Sequence, residues 1–565
     1  MGLFSSLQIA NNALRAAQIG LQVTGNNIAN ADTPGYIRQQ AVLAPAPTQR
    51  YGGLLLGLGV DVQGIVQRTD SLLEERLRGA SGDLANSQAQ QDIYTQLETL
   101  MGELGDSDLS TSLTKFFGSI NDILNQPESV SVRNLAVLTG QTLASDINRL
   151  NDRVREIRSD VNDRIFAMED RVNSLLKQIS DLNVKIVGIE GGVSKSDAVG
   201  LRDQRTSTLG ELAKLISIQT NEQPNGTVSV NSGGNYLVIG SVWREVESTG
   251  SVDRGLTIGE LRIKEIDAPL DNSSGELGGL LTARDEILGG FLDRLDSLTR
   301  TVVYEFNKIH AGGQGLTGFS SVTSEFKVAD TGAALDAAGL SYAPTNGSFQ
   351  VLVRNKQTGL VQTRDITVDL NGLDDNDTSL ADLAAALDGI DGISAAISPD
   401  RGLTITADSP LVEFAFANDT SGALASLGIN TFFTGVSAGT MGVNAALKSD
   451  PSKLAASSRG IAEGTGNAEK LASLLTTKSA ALGGDSLAVV YDKFVAQTVQ
   501  GSSLTKAATE GFQAFQQTLE SQSMAVSGVN IDEEAVRMIA YQRMFQASAK
   551  FISVLDELLN DLVNL

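Results

Sequence analysis

His310 is the only histidine in 565 residues and there is no cysteine, so the side chains that most often carry catalysis are nearly absent. A Ser-His-Asp set would have to be built on that one imidazole, and neither a thiol nucleophile nor a zinc site has its ligands. Carboxylates are the plentiful chemical type, with 67 Asp and Glu against 43 Lys and Arg. The densest group, Asp374, Asp375 and Asp377, could ligate calcium, but Asn371-Gly372 ahead of it and the helical pattern from Ser379 to Leu387 behind it suit a turn and a helix start. Gly57-Leu58-Gly59 lacks the third glycine that a phosphate-cradling loop needs. No catalytic, metal or cofactor-binding residue is therefore expected, and no cofactor. The chain is expected not to be an enzyme; a carboxylate hydrolase housed between Gln314 and Gly439 is the one enzymatic reading that survives. A chain without cysteine also suits an exported protein, which cannot misbridge in an oxidising exterior.

What the chain does carry is helices written to pack. Leu3, Leu7, Ala10, Leu14, Ala17, Leu21, Thr24 and Ile28 alternate steps of four and three, a stripe that must face another helix. Its counterpart lies at the other terminus, where Tyr541, Met544, Ser548, Phe551, Leu555, Leu558, Leu562 and Leu565 keep the same alternation to the last residue. Asn530 with Glu533 three residues on marks the start of that second helix. Spacing alone leaves two readings open: two helices closing one ordinary domain, or a hairpin that also packs against other subunits. After the first helix, Pro34 drives Thr33 out of helical space, and Pro34-Gly35 suits a type II turn with Gly35 at positive φ.

The run Asn26, Asn27, Ile28, Asn30, Thr33, Pro34, Gly35 and Tyr36 resembles the signature of the bacterial flagellar rod, hook and hook-associated proteins. Gly59-Val60-Asp61-Val62, Ile65, Arg68, Asp70 and Leu77-Arg78 resemble the hook-associated protein 1 family in particular, and Val529 to Leu565 resembles the C-terminal region of the same axial proteins. Hook proteins usually carry Val-Gly-Phe where this chain has Pro34-Gly35-Tyr36. The resemblance implies a structural subunit of the flagellum at the junction of hook and filament, reached through the flagellar type III export apparatus. It implies partners as well: further copies of the chain, the hook protein, a second hook-associated protein, and an export chaperone for the C-terminal helix.

Composition bounds the answer independently. With 41% hydrophobic residues the chain can bury more than one core, and its length suggests about four domains. A formal charge of -24 argues against a nucleic-acid or anionic-membrane surface, which would need clustered Lys and Arg. Gln8, Asn11, Asn12 and Arg15 interrupt the N-terminal apolar run, so no cleavable signal peptide is expected, and no apolar stretch is long enough to span a bilayer. Met1-Gly2-Leu3-Phe4-Ser5-Ser6 formally fits a myristoylation pattern, but those residues already serve the seam.

Along the chain, Ala41 to Gly57 reads as a Pro- and Gly-punctuated connector and Leu58, Val60 and Val62 as a short strand. Helical period then runs from Ser71, through Leu109 to Ile123, and over the long stripe from Ile147 to Ile186, whose other face carries mixed charge at helical pair spacing. A further helix runs to about Ile216, followed by a small β element near 218–266 and another helix from Leu288 closed by Gly312-Gly313. Phe349-Val351-Val353, Ile366-Val368-Leu370, Leu403-Ile405 and Val412-Phe414-Phe416 alternate as strands, and Val490 to Thr518 is helical again. The fold class is thus α+β. A long helical bundle or coiled coil is built from both halves of the chain, a β-rich domain is inserted in it, and the terminal helices form an assembly hairpin. The expected division is 1–40 with 529–565 as terminal assembly domain, 41–313 with 441–528 as helical bundle, and 314–440 as the insert. The alternative of another class is a secreted coiled-coil adhesin presenting the β-rich domain.

Overall fold

The chain opens with helix α1 (Leu3–Ala29) and turns through Gly35, at φ +76°, into strands β1 (Gln39–Pro45), β2 (Thr48–Tyr51), β3 (Leu54–Gly57) and β4 (Val60–Gln67). Helices α2 (Ser71–Glu103), α3 (Leu109–Asn125), α4 (Val130–Glu190) and α5 (Val199–Leu215) follow. Next come β5 (Gln219–Glu222), β6 (Val228–Ser232), β7 (Asn235–Ile239), β8 (Val242–Trp243), β9 (Val246–Asp253), β10 (Leu256–Ile263) and β11 (Ala268–Pro269). Helix α6 (Gly275–Thr282) passes through a π turn (Ala283–Leu288) into α7 (Gly289–Ala311). Then follow β12 (Ser321–Thr323), β13 (Gly347–Asn355), β14 (Val361–Val368), α8 (Leu380–Asp388), β15 (Ile393–Ile397), β16 (Leu403–Ala407) and β17 (Val412–Ala417). Short elements α9 (Ala423–Leu427), β18 (Phe433–Thr434), β19 (Gly442–Val443), α10 (Ala445–Ser449) and α11 (Gly466–Ser473) lead to α12 (Leu487–Ser527) and α13 (Ile531–Val563). The structure, a computed structural model, describes residues 3–33, 35–51, 54–103, 109–191, 197–373, 376–479 and 482–563. Pro34, Asp374, Asp375, Leu565 and the side chain of Leu562 lie outside the described residues.

The class is α+β, with long helices drawn from both halves of the chain. By its internal contacts the chain divides into two units, one of Met1–Ile93, Ser159–Ile287 and Ser503–Leu565, the other of Tyr94–Arg158 and Leu288–Ser502.

In the first unit the stretch read as a connector is paired: β1 runs antiparallel to β4 from Gln39↔Gln67 to Pro45↔Val60, with a bulge between Val42 and Leu43, and β2 pairs β3. Its prolines stand at strand ends, where a missing N–H costs no ladder bond, so they punctuate the strands without forbidding them. Sheets β5-β6-β7-β8 and β11-β10-β9 are pinned to α4 by side chains that grip backbone. Asn162 donates to the Thr257 carbonyl at 3.0 Å and accepts from Gly259 N–H at 2.8 Å. Asn173 holds the carbonyl and N–H of Val246, at 2.7 and 2.8 Å, and Asn183 holds those of Val228, at 2.8 and 3.0 Å. Gly259 is needed there, since a Cβ would stand 2.9 Å from the Phe166 ring.

The second unit has two layers of core. Sheets β14-β13-β17 and β12-β16-β15 enclose Phe349, Val351, Phe414, Phe416, Leu403 and Ile405 together with Leu380, Leu383 and Leu387 of α8. Helix α8 starts on a capping box, in which Ser379 accepts from Asp382 N–H and Asp382 from Ser379 N–H, the start read into that stretch in place of a calcium loop. The other layer is aromatic: Phe116 of α3 lies 5.1 Å from Phe306 of α7 and 5.3 Å from both Phe432 and Phe433, centroid to centroid.

Candidate functional site

Helix α1 packs along α13 through small residues. Its buried positions are Ala10, Ala16, Ala17, Gly20, Val23, Thr24 and Asn27, and a Cβ on Gly20 would fall 2.5 Å from the Tyr541 ring. Gly20 therefore sets how closely the two helices approach. Helix α1 also meets β1 and β4, and Asn12 donates to the Leu58 carbonyl at 3.0 Å. Helix α13 begins where Asn530 Oδ1 accepts from the N–H groups of Asp532 and Glu533, at 3.0 and 3.3 Å, and three carboxylates in its first turn suit the positive end of the helix dipole.

Where these two helix ends meet, the asparagine-rich motif closes a buried polar lock. Asn27 donates to the Gln39 carbonyl at 2.9 Å and to Glu534 at 3.0 Å, while its Oδ1 accepts from Gln39 N–H at 3.0 Å and from the Tyr36 hydroxyl at 2.9 Å. All of its hydrogen-bonding capacity is thus spent on the turn and on α13. Arg38 grips Glu534 through Nε at 2.9 Å and Nη2 at 2.6 Å and reaches Glu533 at 2.9 Å. The Arg38 and Glu534 side chains are only 6% and 1% exposed. Both charges are satisfied, which is the condition under which burying them is tolerable. Arg38 N–H donates to the Ser527 carbonyl at 2.9 Å, tying the same turn to the end of α12.

The remaining motif residues shape the turn. Asn30 Nδ2 caps the Asn26 carbonyl at 3.0 Å, Thr33 donates to Asn30 Oδ1 at 3.3 Å, and Asn26 Nδ2 reaches the Tyr36 oxygen at 3.4 Å. Burial, with Asp203 and Glu534 nearby, pushes the Tyr36 hydroxyl up to about 12, so it stays a donor. Burial also raises Asp203 to about 6, against hydrogen bonds from Gln67 and the Ile37 backbone. Burial works against the Arg38 cation, but its bonds to Glu534 and Glu533 outweigh that and hold its pKa above the usual value.

Of the seam residues, Leu555 is buried; Leu3, Leu7, Leu14, Leu21, Ile28, Tyr541 and Met544 are half-buried; Phe551 and Leu558 are exposed. Arg38, Gln39 and Glu534 carry the lock without having been singled out in the sequence. The acidic start of α13, with Glu534 following Asp532 and Glu533, was the available signal, but it reads equally as helix-dipole charge. The outer face of α13 is left apolar: Val536, Ile539, Phe551, Val554 and Leu558 are 68%, 51%, 44%, 41% and 49% exposed. They fall on one stripe with Arg543 and Ala547 between them.

An open cleft of about 620 Å³ beside α1 is lined by Asn12, Arg15, Ile19, Asn26, Asp61 and Gln63 among others, a set with one acid and no nucleophile-base pair. Among the described residues no group of three or more His, Asp or Glu side chains is placed to hold a metal ion, and no helix is long and apolar enough to cross a membrane.

Residues 94–324 match the family model described as flagellar hook-associated protein FlgK helical domain. Residues 520–565 match that of the flagellar basal body rod FlgEFG protein C-terminal, and residues 7–36 that of the flagella basal body rod protein. Flagellar hook-associated protein 1 of Escherichia coli is 25% identical over 577 aligned residues that cover 99% of this chain and 100% of that protein. The protein of the same name from Bacillus subtilis is 24% identical, over 99% of this chain and 98% of the relative. The solved flagellar hook junction protein FlgK of Burkholderia pseudomallei aligns at a TM-score of 0.49 and 16% identity, over 80% of this chain and all of that one.

Proposed function

Because the chain belongs to the flagellar hook-associated protein 1 family, we propose that its terminal hairpin is the part that polymerises and that the outer stripe of α13 is a subunit contact. The protein is a structural component of the bacterial flagellum, at the junction of hook and filament. The observation that carries the reading is the contrast between the two faces of α13: Glu534 and Leu555 are closed off inside the subunit, while Val536, Ile539, Phe551, Val554 and Leu558 stand open. A solvated helix in a finished monomer has no use for such a row, and a neighbouring axial subunit would bury it. Full-length likeness to flagellar proteins at both ends of the chain favours this over an adhesin.

Its partners are other flagellar axial proteins. More specifically, copies of itself, the hook protein and a second hook-associated protein would share the packed terminal helices, and an export chaperone would cover α13 before assembly. The seam residues Leu3, Leu7, Leu14, Leu21 and Ile28 would contribute the faces of α1 that the hairpin leaves half-buried. Export would run through the flagellar type III apparatus. With one histidine, itself fully buried, and no cysteine, the protein has no catalytic role in this reading.

Leu558→Asp tests it. A carboxylate there remains solvated in the monomer but becomes buried and unpaired in a subunit contact, at a cost of several kcal/mol per subunit. In a strain lacking the wild-type chain, the variant should be secreted normally and keep the monomer's melting temperature, yet fail to support filament growth and motility. Normal motility would overturn the proposal.

A further inference from the structure

Three Asn-Gly dipeptides occur in the chain, Asn225-Gly226, Asn346-Gly347 and Asn371-Gly372, and their backbone amides are held in three different ways. Asn-Gly is the pair at which a side-chain amide meets the following N–H with no Cβ in the way, so that the nitrogen can close on Cγ to form a five-membered succinimide.

At Asn371 both halves of that reaction have a partner. Leu373 N–H donates to Asn371 Oδ1 at 2.6 Å, where it polarises the carbonyl and would meet the developing oxyanion. Gly372 N–H, the nucleophile, donates to Asp377 Oδ1 at 3.0 Å, a carboxylate placed to take its proton. Asn371 and Gly372 are exposed, and among the described residues nothing lies within 4 Å of where a Gly372 Cβ would stand, so water has access. At Asn225 the carbonyl is similarly engaged, by Thr227 N–H at 3.1 Å and its hydroxyl at 2.8 Å. There, however, Gly226 is buried and its N–H donates to the Gln223 carbonyl at 2.9 Å, an oxygen that accepts no proton. At Asn346 the side chain accepts from Leu370 N–H at 3.0 Å, and Gly347 is fixed in β13 opposite Val368.

We propose that Asn371 is a site of spontaneous deamidation promoted by the fold, with Asp377 as proton acceptor. Gly372 N attacks Cγ of Asn371 as its proton passes to the Asp377 carboxylate. The Cγ–Nδ2 bond then breaks, and the departing nitrogen takes the proton back and leaves as ammonia. Water opens the succinimide to aspartate or isoaspartate, with no oxidant or reductant involved. The loop between β14 and α8 gains one negative charge and, in the isoaspartate form, one backbone methylene.

The test holds the full-length protein at neutral pH and follows all three sites by peptide mapping with mass spectrometry. Asn371 should convert about tenfold or more faster than Asn225 and Asn346. Asp377→Asn, whose amide accepts a hydrogen bond but no proton, should slow Asn371 several-fold and leave the other two rates unchanged. In urea the wild-type rates should converge, and this arm decides even if Asp377→Asn does not fold. An Asn371 rate no greater than the other two in the folded protein would overturn the proposal. So would an unchanged rate in a folded Asp377→Asn protein, or an Asn371 advantage that persists in urea.

Discussion

At the scale of single residues, a few buried polar groups are held by partners that lie far away in sequence. Arg38 faces two carboxylates that differ sharply in burial: the Glu534 side chain is 1% exposed and that of Glu533 58%. Glu534→Ala would leave the buried guanidinium with only the exposed Glu533 and strand the Asn27 amide, at about 3–5 kcal/mol, whereas Glu533→Ala removes only a solvated pair and should cost far less. Hydrogen exchange across α1 and α13 should therefore accelerate strongly in the first variant and barely in the second; equal effects would mean that the lock does not hold the hairpin. His310 is a second such group. Its Nδ1 faces the Asn430 carbonyl at 2.8 Å and its Nε2 accepts from Ala455 N–H at 3.1 Å, so the ring is neutral with its proton on Nδ1. Burial, with Arg133 adding a smaller repulsion, lowers it from 6.5 to about 4. A folded pKa below the unfolded one means that the unfolded chain binds the proton more readily. The stability that the neutral ring contributes is complete above pH 6.5 and is lost as the pH falls toward 4. That loss approaches about 3 kcal/mol, at 1.4 kcal/mol per unit. Melting temperatures of wild type and His310→Gln measured across that interval should converge toward acid, and parallel curves would show that His310 is not the titrating group.

At the scale of elements, apolar period made the long helices legible, and alternation made the inner strands of the β-rich region legible. Val351 and Phe416, each on the alternating stripe read for its own strand, stand opposite one another in the β13–β17 pair, because inward residues of a half-buried strand must recur every second position. What the period could not show is how closely elements approach. The closest approach of α1 to α13 is at Gly20, with Tyr541 against it, on a helix whose buried positions are mostly small, and a glycine leaves no apolar signature. Polar residues hid the rest. Asn162, Asn173 and Asn183 lie along α4 as uncharged polar residues that give no sign of a partner in the sequence, yet each grips sheet backbone. Arg38 and Glu534, 496 residues apart, look like surface charge until the fold joins them. Burial of a polar group is decided by its partner, and the partner is a property of the tertiary structure.

At the scale of the whole molecule, the question is how independent the β-rich insert is of the helices in its own unit. Its entry and exit lie side by side, since Asn430 Nδ2 donates to the carbonyls of both Ala311 and Gly313 at 3.0 Å, so a short linker can close the gap. The glycines expected to end α7 serve this junction: Gly312 has an ordinary φ of -83°, and a Cβ on Gly313 would collide with Asn467. Phe432 and Phe433, inside the 314–440 stretch, belong to the aromatic layer with Phe116 and Phe306, and Asn307 Oδ1 accepts from both of their N–H groups at 3.0 and 2.9 Å. The hydrophobic core of the insert, by contrast, runs from Phe319 to Ile429, with Ala311 and Tyr304 of α7 at its edge. Two deletions separate these layers. Removing Gly318 to Gly428 takes out the strands but leaves Asn430, Phe432 and Phe433 on the helices, and should preserve a cooperative helical melt. Removing Leu316 to Ala438 also strips two phenylalanines from a packed layer, each worth about 3–5 kcal/mol, and the acceptor of His310. The longer deletion should give a molten or insoluble product while the shorter one stays folded; equal behaviour of the two, in either direction, would show that the border does not fall between Gly428 and Asn430.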